Sequence, residues 1–209
     1  MIQKKRRVMS EANGSKGFTL VEMALVLIII GIIIGAIVKG NDLVRGAEQK
    51  RIYSKFIGGW RLAYMNFYDR TGKILGDTTN GANPGQDGQA DTAGGGSGLV
   101  TSPSPAAYLG LTQVGLSAPT SNTGNAWEYN YVNSQGSTNT LTVAFDWATP
   151  GNYNFLQISN LPTELALALD TMIDGSADGT AGDFIRDVNA TWADANATAI
   201  NTARWRMQF

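Results

Sequence analysis

The chain has 209 residues, room for one membrane helix and one modest globular domain, and its 16 basic against 17 acidic residues argue against a broad cationic surface for nucleic acid. It contains no cysteine and no histidine. Those two absences remove disulfide staples, Ser-His-Asp triads, cysteine nucleophiles and most zinc, haem and iron–sulfur ligation. Carboxylates remain, but Glu128 and Glu164 are the only glutamates beyond residue 75, and no spacing suggests a two-carboxylate hydrolase. An enzyme is not expected.

Residues 1–17 form a basic leader with Lys4, Lys5, Arg6, Arg7 and Lys16. Phe18 to Val38 follows as 21 residues in which Glu22 is the sole ionisable side chain. An apolar helix of that length spans about 30 Å, the hydrocarbon thickness of a bilayer. A secretory signal has a shorter core, about 7 to 15 residues, with a small-x-small site behind it, and Ala36-Ile37-Val38-Lys39 offers none. Five basic residues precede the run, and Lys39, Arg45, Lys50, Arg51 and Lys55 follow it, so the positive-inside count leaves orientation open and an uncleaved anchor remains an alternative. Glu22 is the anomaly. An acid at the centre of a spanning helix costs about 2.5 to 3.5 kcal/mol, less near an end, and is retained when something specific pairs with it.

Gly17-Phe18-Thr19-Leu20-Val21-Glu22 behind a basic leader resembles the start of type IV pilins and pseudopilins. The likeness continues through Gly40-Asn41-Asp42-Leu43 and Thr71-Gly72-Lys73-Ile74-Leu75-Gly76-Asp77, covering about a third of the chain. The resemblance implies cleavage after Gly17 by a prepilin peptidase and N-methylation of Phe18. It also implies a filament in which Glu22 neutralises the amino terminus of a neighbouring subunit. Physics agrees independently, since a buried acid that finds a cation recovers part of its desolvation cost. Further implied partners are copies of the chain or other pilus subunits, an inner-membrane assembly machinery, and membrane lipid before assembly. Nucleic acid would enter only through DNA uptake. The precursor would sit in the inner membrane as a single-pass protein, then move to an extracellular or periplasmic filament. Loss of residues 1–17 removes five basic residues and Glu11, taking the formal net charge from -1 to -5. The C-terminal disulfide loop of many type IV pilins is absent here, as is the proline that many carry just past the membrane run.

The expected fold is α+β, a pilin-like ladle in which a long N-terminal α-helix, spanning a membrane in its first half, packs on a small antiparallel β-sheet. Its parts are the leader (1–17), the membrane and filament-core helix (18–38), an amphipathic continuation (39–75), a Gly-rich loop (76–107) and a globular head (108–209). No proline falls between residue 18 and about 73, so one helix is predicted throughout. Tyr53, Phe56, Trp60, Tyr64 and Phe67, three and four apart, mark the face that should meet the sheet. A stacked aromatic path carrying electrons along a filament is the sharper alternative. Gly31 and Gly35 form a Gly-x-x-x-Gly pair that allows close helix approach.

From Gly76 to about Ala107 no helix or strand period survives, and Gly94 to Gly98 reads as flexible linker. Strands are predicted at Trp127, Tyr129 and Tyr131, at Leu141, Val143, Phe145 and Trp147, and over Tyr153 to Ile158 after the turn Thr149 to Asn152. Short connections make the sheet an antiparallel meander. A helix should start near Asn160-Leu161-Pro162-Thr163-Glu164, with Leu161, Leu165, Leu169, Met172 and Ile173 on its face. Asp174, Ser176, Asp178 and Asp183 then resemble half of a calcium loop, without the bidentate glutamate of an EF-hand, so structural calcium is weighed against a solvated Asp/Gly turn. Arg204 to Phe209 alternates as a last edge strand. Asn189 and Asn196 begin glycosylation triplets.

The expected function is that of a structural subunit processed by prepilin peptidase and assembled into a pilus for adhesion, motility or DNA uptake. The alternatives are a pseudopilin of a type II secretion system and a membrane-anchored binding domain that does not assemble.

Overall fold

The structure is a computed structural model that describes residues 17–78, 87–91, 95–105, 108–188, 190–192 and 199–208. The leader up to Lys16, Asn189 and the triplet starting at Asn196 lie outside the described residues. The chain divides into two units, Met1–Arg45 and Gly46–Phe209.

In the first unit, helix α1 (Leu20–Arg51) starts and runs to the boundary. None of the residues from Gly17 to Lys39 is buried, as expected of a run whose solvent is lipid or the apolar surface of another chain.

In the second unit, α1 passes into a six-residue π-helix, Ile52–Ile57, and then into α2 (Gly58–Thr71). A regular α-helix was the expectation, so the wide turn is a correction with a packing cause. Ile52, Phe56, Trp60 and Tyr64 are all buried and step by four, and each such step overshoots an α-helical turn by about 40°. A wider turn absorbs part of that drift and keeps the series on one line. Gly58 permits it: its N–H reaches the carbonyl of Tyr53, and a Cβ at this position would stand 2.9 Å from that oxygen. The predicted aromatic face is the core of the unit, with Phe56, Trp60, Tyr64 and Phe67 at 0 to 1% exposure and Tyr53 half-buried. α2 closes at Gly72, left-handed at φ 66, which donates to the Tyr68 carbonyl at 2.7 Å.

Five antiparallel strands receive that face: β1 (Glu128–Val132), β2 (Thr138–Ala148), β3 (Tyr153–Pro162), β4 (Phe184–Arg186) and β5 (Ile200–Arg206), in the order β1-β2-β3-β5-β4. Tyr129, Tyr131, Leu141, Val143 and Phe145 are buried at alternate positions, as their spacing predicted. Ring centroids lie 5.2 Å apart for Phe56 and Tyr129 and 4.9 Å apart for Tyr64 and Phe145, so helix and sheet meet through aromatic contacts. The C-terminal strand is not an edge. β5 lies between β3 and β4, because three residues after the Asp-rich turn pair with it, Phe184 opposite Trp205. Helix α4 (Thr163–Asp174) starts directly after Pro162 and buries Leu165, Ala166, Leu169 and Asp170. Leu161 belongs to β3, opposite Asn201, and not to the helix face.

The described part of the connection from α2 to the sheet is tied into the head; residues 79–86, 92–94 and 106–107 of the expected Gly-rich loop lie outside the described residues. The Asn154 side chain accepts the Ala90 N–H at 2.8 Å and donates to the Gly88 carbonyl at 2.9 Å, and Asp91 bridges Asp146. Gly95–Val100 forms a short helix, α3, where a flexible linker was expected. The glycine that read as flexibility serves packing: a Cβ on Gly96 would lie 1.9 Å from Cγ of Trp127.

Candidate functional site

Gly17 and Phe18 precede the helix, and Phe18 is exposed. Thr19 then starts it in a reciprocal arrangement. The Glu22 carboxylate accepts the Thr19 N–H at 2.7 Å and the Thr19 hydroxyl at 2.9 Å, while the Glu22 N–H donates to Thr19 Oγ1 at 3.2 Å. This is a capping box, which satisfies two donors that a helix start leaves open. It also sets the acid at the positive end of the helix dipole. Read as sequence, Glu22 was an acid awaiting a partner from another chain; the structure supplies a local one. The signal was present in the Thr-x-x-Glu spacing of Thr19 and Glu22.

Behind this cap the helix is long and apolar enough to cross a membrane, with a mean hydropathy of 2.9 over eighteen residues, none of them buried. Such a surface is suited to lipid or to the apolar faces of other copies, and not to water. Leu20, Leu27 and Ile32 are each more than 65% exposed.

The Asp-rich turn is held from within. Asp174 accepts the N–H groups of Asp183 and Phe184 at 3.1 and 2.8 Å, one on each oxygen. Asp178 Oδ1 accepts those of Thr180 and Ala181 at 2.8 and 2.9 Å, and these bonds hold its carboxyl below the usual carboxylate range. Ser176 and Asp183 are exposed, and it is the Asp183 backbone N–H that bonds Asp174. Among the described residues no three acids converge as a metal site would require. Gly182 has φ +97, and a Cβ there would meet Asp174 Oδ2 at 2.3 Å, so this turn needs glycine.

One buried acid escaped sequence reasoning. Asp170 is 0% exposed on the inner face of α4, its Oδ2 accepting the Gly179 N–H at 3.1 Å and the Trp192 indole N–H at 2.7 Å. Burial pushes its pKa up, the two donors pull it back, and Asp174 and Asp178 push it further up. Its position one residue after Leu169, on an otherwise apolar stripe, was the available signal.

Compared with known proteins, residues 12–38 match the family model described as the prokaryotic N-terminal methylation motif. No curated protein and no solved structure matches the chain. That motif supports the resemblance of the N-terminal segment to type IV pilins and pseudopilins.

Proposed function

We propose, from that N-terminal signature, that the chain is a type IV pilin-like structural subunit, cut after Gly17, methylated on Phe18 and assembled into an extracellular pilus. The observation that carries the reading is the methylation motif over residues 12–38, which includes the Thr19–Glu22 cap. Within the membrane the capping box shelters the Glu22 carboxylate. On assembly an ammonium group at Phe18 of a neighbouring copy is the stronger partner, because a charge-assisted bond in low dielectric exceeds one to a neutral donor. The exposed apolar run leaves lipid only when other copies cover it, since each Å² of apolar surface given to water costs about 25 cal/mol. The long connection after Gly76 favours a pilus, which displays a large surface, or a minor component over a short major pseudopilin. Prepilin peptidase and an inner-membrane assembly machinery are the partners this route needs.

The test is the intact mass of the protein from a sheared, cell-free filament fraction of its native host. A species beginning at Phe18 with one added methyl supports the reading, and Glu22→Ala should abolish the filament while leaving membrane insertion intact. A full-length species confined to the membrane fraction overturns it in favour of a tethered binding domain. A processed species that stays cell-associated and is needed for protein secretion points to a pseudopilus.

A further inference from the structure

Charge is divided unevenly along the mature chain. Residues 39–75 hold eight basic and three acidic side chains, whereas residues 76–209 hold three basic and twelve acidic ones. The three cations of the second stretch are Arg186, Arg204 and Arg206. Arg204 is paired with Asp187, and Arg186 donates to the Thr191 carbonyl at 2.9 Å. The acidic excess of the head is therefore not balanced by its own cations.

The second unit presents the opposite charge on the outer side of its helix. Lys50, Arg51 and Lys55 are exposed there, on the side away from the buried Ile52 and Phe56. Arg51 is shared with Glu48 at 3.4 Å, and Glu48 also accepts the Tyr129 hydroxyl at 2.8 Å. Lys50 and Lys55 make no ion pair among the described residues. The head's exposed acids include Asp183, beside the half-buried Asp178, in a turn where Asp174 and Asp178 accept backbone N–H groups. A cationic strip and an acidic turn on one folded unit, not paired with each other, become complementary once copies of the chain repeat along an assembly.

We propose that the strip Lys50–Arg51–Lys55 is an intersubunit contact that receives the Asp174–Asp183 turn of a second copy of this chain. The proposal rests on the assembly reading above for its biological setting, but the contact itself is testable apart from filaments. Its role is to set register between heads, since rim charges steer association and exclude wrong alignments more than they add affinity. It weakens as salt rises, because the charges are exposed.

The natural absence of cysteine makes the experiment clean. Two full-length chains are co-expressed in the native host, one carrying Lys55→Cys and the other Asp178→Cys, and membrane and sheared-filament fractions are treated with a short bismaleimide. A heterodimer is expected from this pair and not from Lys55→Cys with Asp87→Cys. The charge-reversed pair Lys50→Glu/Lys55→Glu and the pair Asp178→Lys/Asp183→Lys should each lower filament yield at least about tenfold, and the two sets combined in one chain should restore it. No heterodimer in either fraction, with wild-type filaments abundant, overturns the contact while leaving the pilus reading standing. A heterodimer in the membrane fraction of cells that make no filaments supports the contact and overturns the pilus reading. Normal filament yield from Lys50→Glu/Lys55→Glu, together with lost binding of the full chain to phosphatidylglycerol vesicles, overturns the contact and assigns the strip to lipid.

Discussion

The carboxylate of Asp170 and the indole of Trp192 meet inside the head, Oδ2 accepting Nε1–H at 2.7 Å with the two residues 0% and 1% exposed. Gly179, Phe184 and Trp192, all beyond α4, are tied to the core through this bond, through the Gly179 N–H on the same oxygen, and through the Trp192 ring 5.8 Å from Phe184. In a chain without cysteine, this polar clasp closes the C-terminal region. Trp192→Phe keeps the packing but leaves the buried acceptor short of a donor. The expected loss is about 1.5 to 3 kcal/mol, a melting-temperature drop of roughly 3 to 12 °C. It is measured on a fragment starting at Gly46, which retains every buried core residue. An unchanged melting temperature would show that the bond is energetically idle.

The same acid sets a pH dependence. Because burial raises the Asp170 pKa in the folded state, the folded chain holds a proton that the unfolded chain lacks between the ordinary aspartate pKa and the raised value. Stability from this group is therefore full below the ordinary value and falls as pH rises through the window. Asp178 acts in the opposite sense: its lowered pKa contributes stability that is lost as pH falls below the ordinary value. Denaturant titrations of the fragment and of its Asp170→Asn variant, run from acid to neutral pH, should differ in slope above the ordinary aspartate pKa. Parallel curves would count against a buried, titrating Asp170.

Glu22→Gln separates two jobs of one side chain. Glutamine also serves the third position of a capping box, so the helix start and membrane insertion should persist. The negative charge is lost, and with it any pairing to an ammonium group. Filament yield should therefore fall as far as in Glu22→Ala, while protease protection of the membrane-inserted precursor stays at the wild-type level. Wild-type filament yield from Glu22→Gln would remove charge from the account of assembly.

At the wide turn, Gly58→Ala places a methyl 2.9 Å from the Tyr53 carbonyl oxygen, the acceptor of the residue's own N–H. Either the turn tightens to α-helix and rotates Ile52 and Phe56 off the sheet, or the clash is absorbed. The expected cost is about 1 to 3 kcal/mol with helical circular dichroism unchanged. A stabilised variant would mean that the π-helix is not set by core packing.

In the Asp-rich turn, both Asp174 oxygens and one Asp178 oxygen already accept backbone N–H groups. A chelator should leave the melting temperature of the fragment unchanged, whereas Gly182→Ala should lower it, through both the left-handed backbone and the meeting with Asp174. A chelator-induced drop would instead support structural calcium at this turn.

Sequence alone determined the features that repeat or that carry a local motif. The apolar run after Gly17, the aromatic face from Tyr53 to Phe67, the alternation in β1 and β2 and the turn before Tyr153 all follow from periods of 3.6 and 2 and from turn chemistry, which neighbouring residues enforce. Even the Thr19–Glu22 cap was written at its spacing of three. Tertiary structure alone decided the rest. The wide turn at Ile52–Ile57 answers a sheet whose position no helical segment encodes. β4 displaces β5 from the edge because only the folded Asp-rich turn brings Phe184 opposite Trp205. Within the helix Gly95–Val100, residue 96 must be glycine because the Trp127 ring lies against it, and Asp170 holds Trp192 from 22 residues away. In each case the deciding contact joins residues far apart in the chain, and its energy exists only after the core has closed around it.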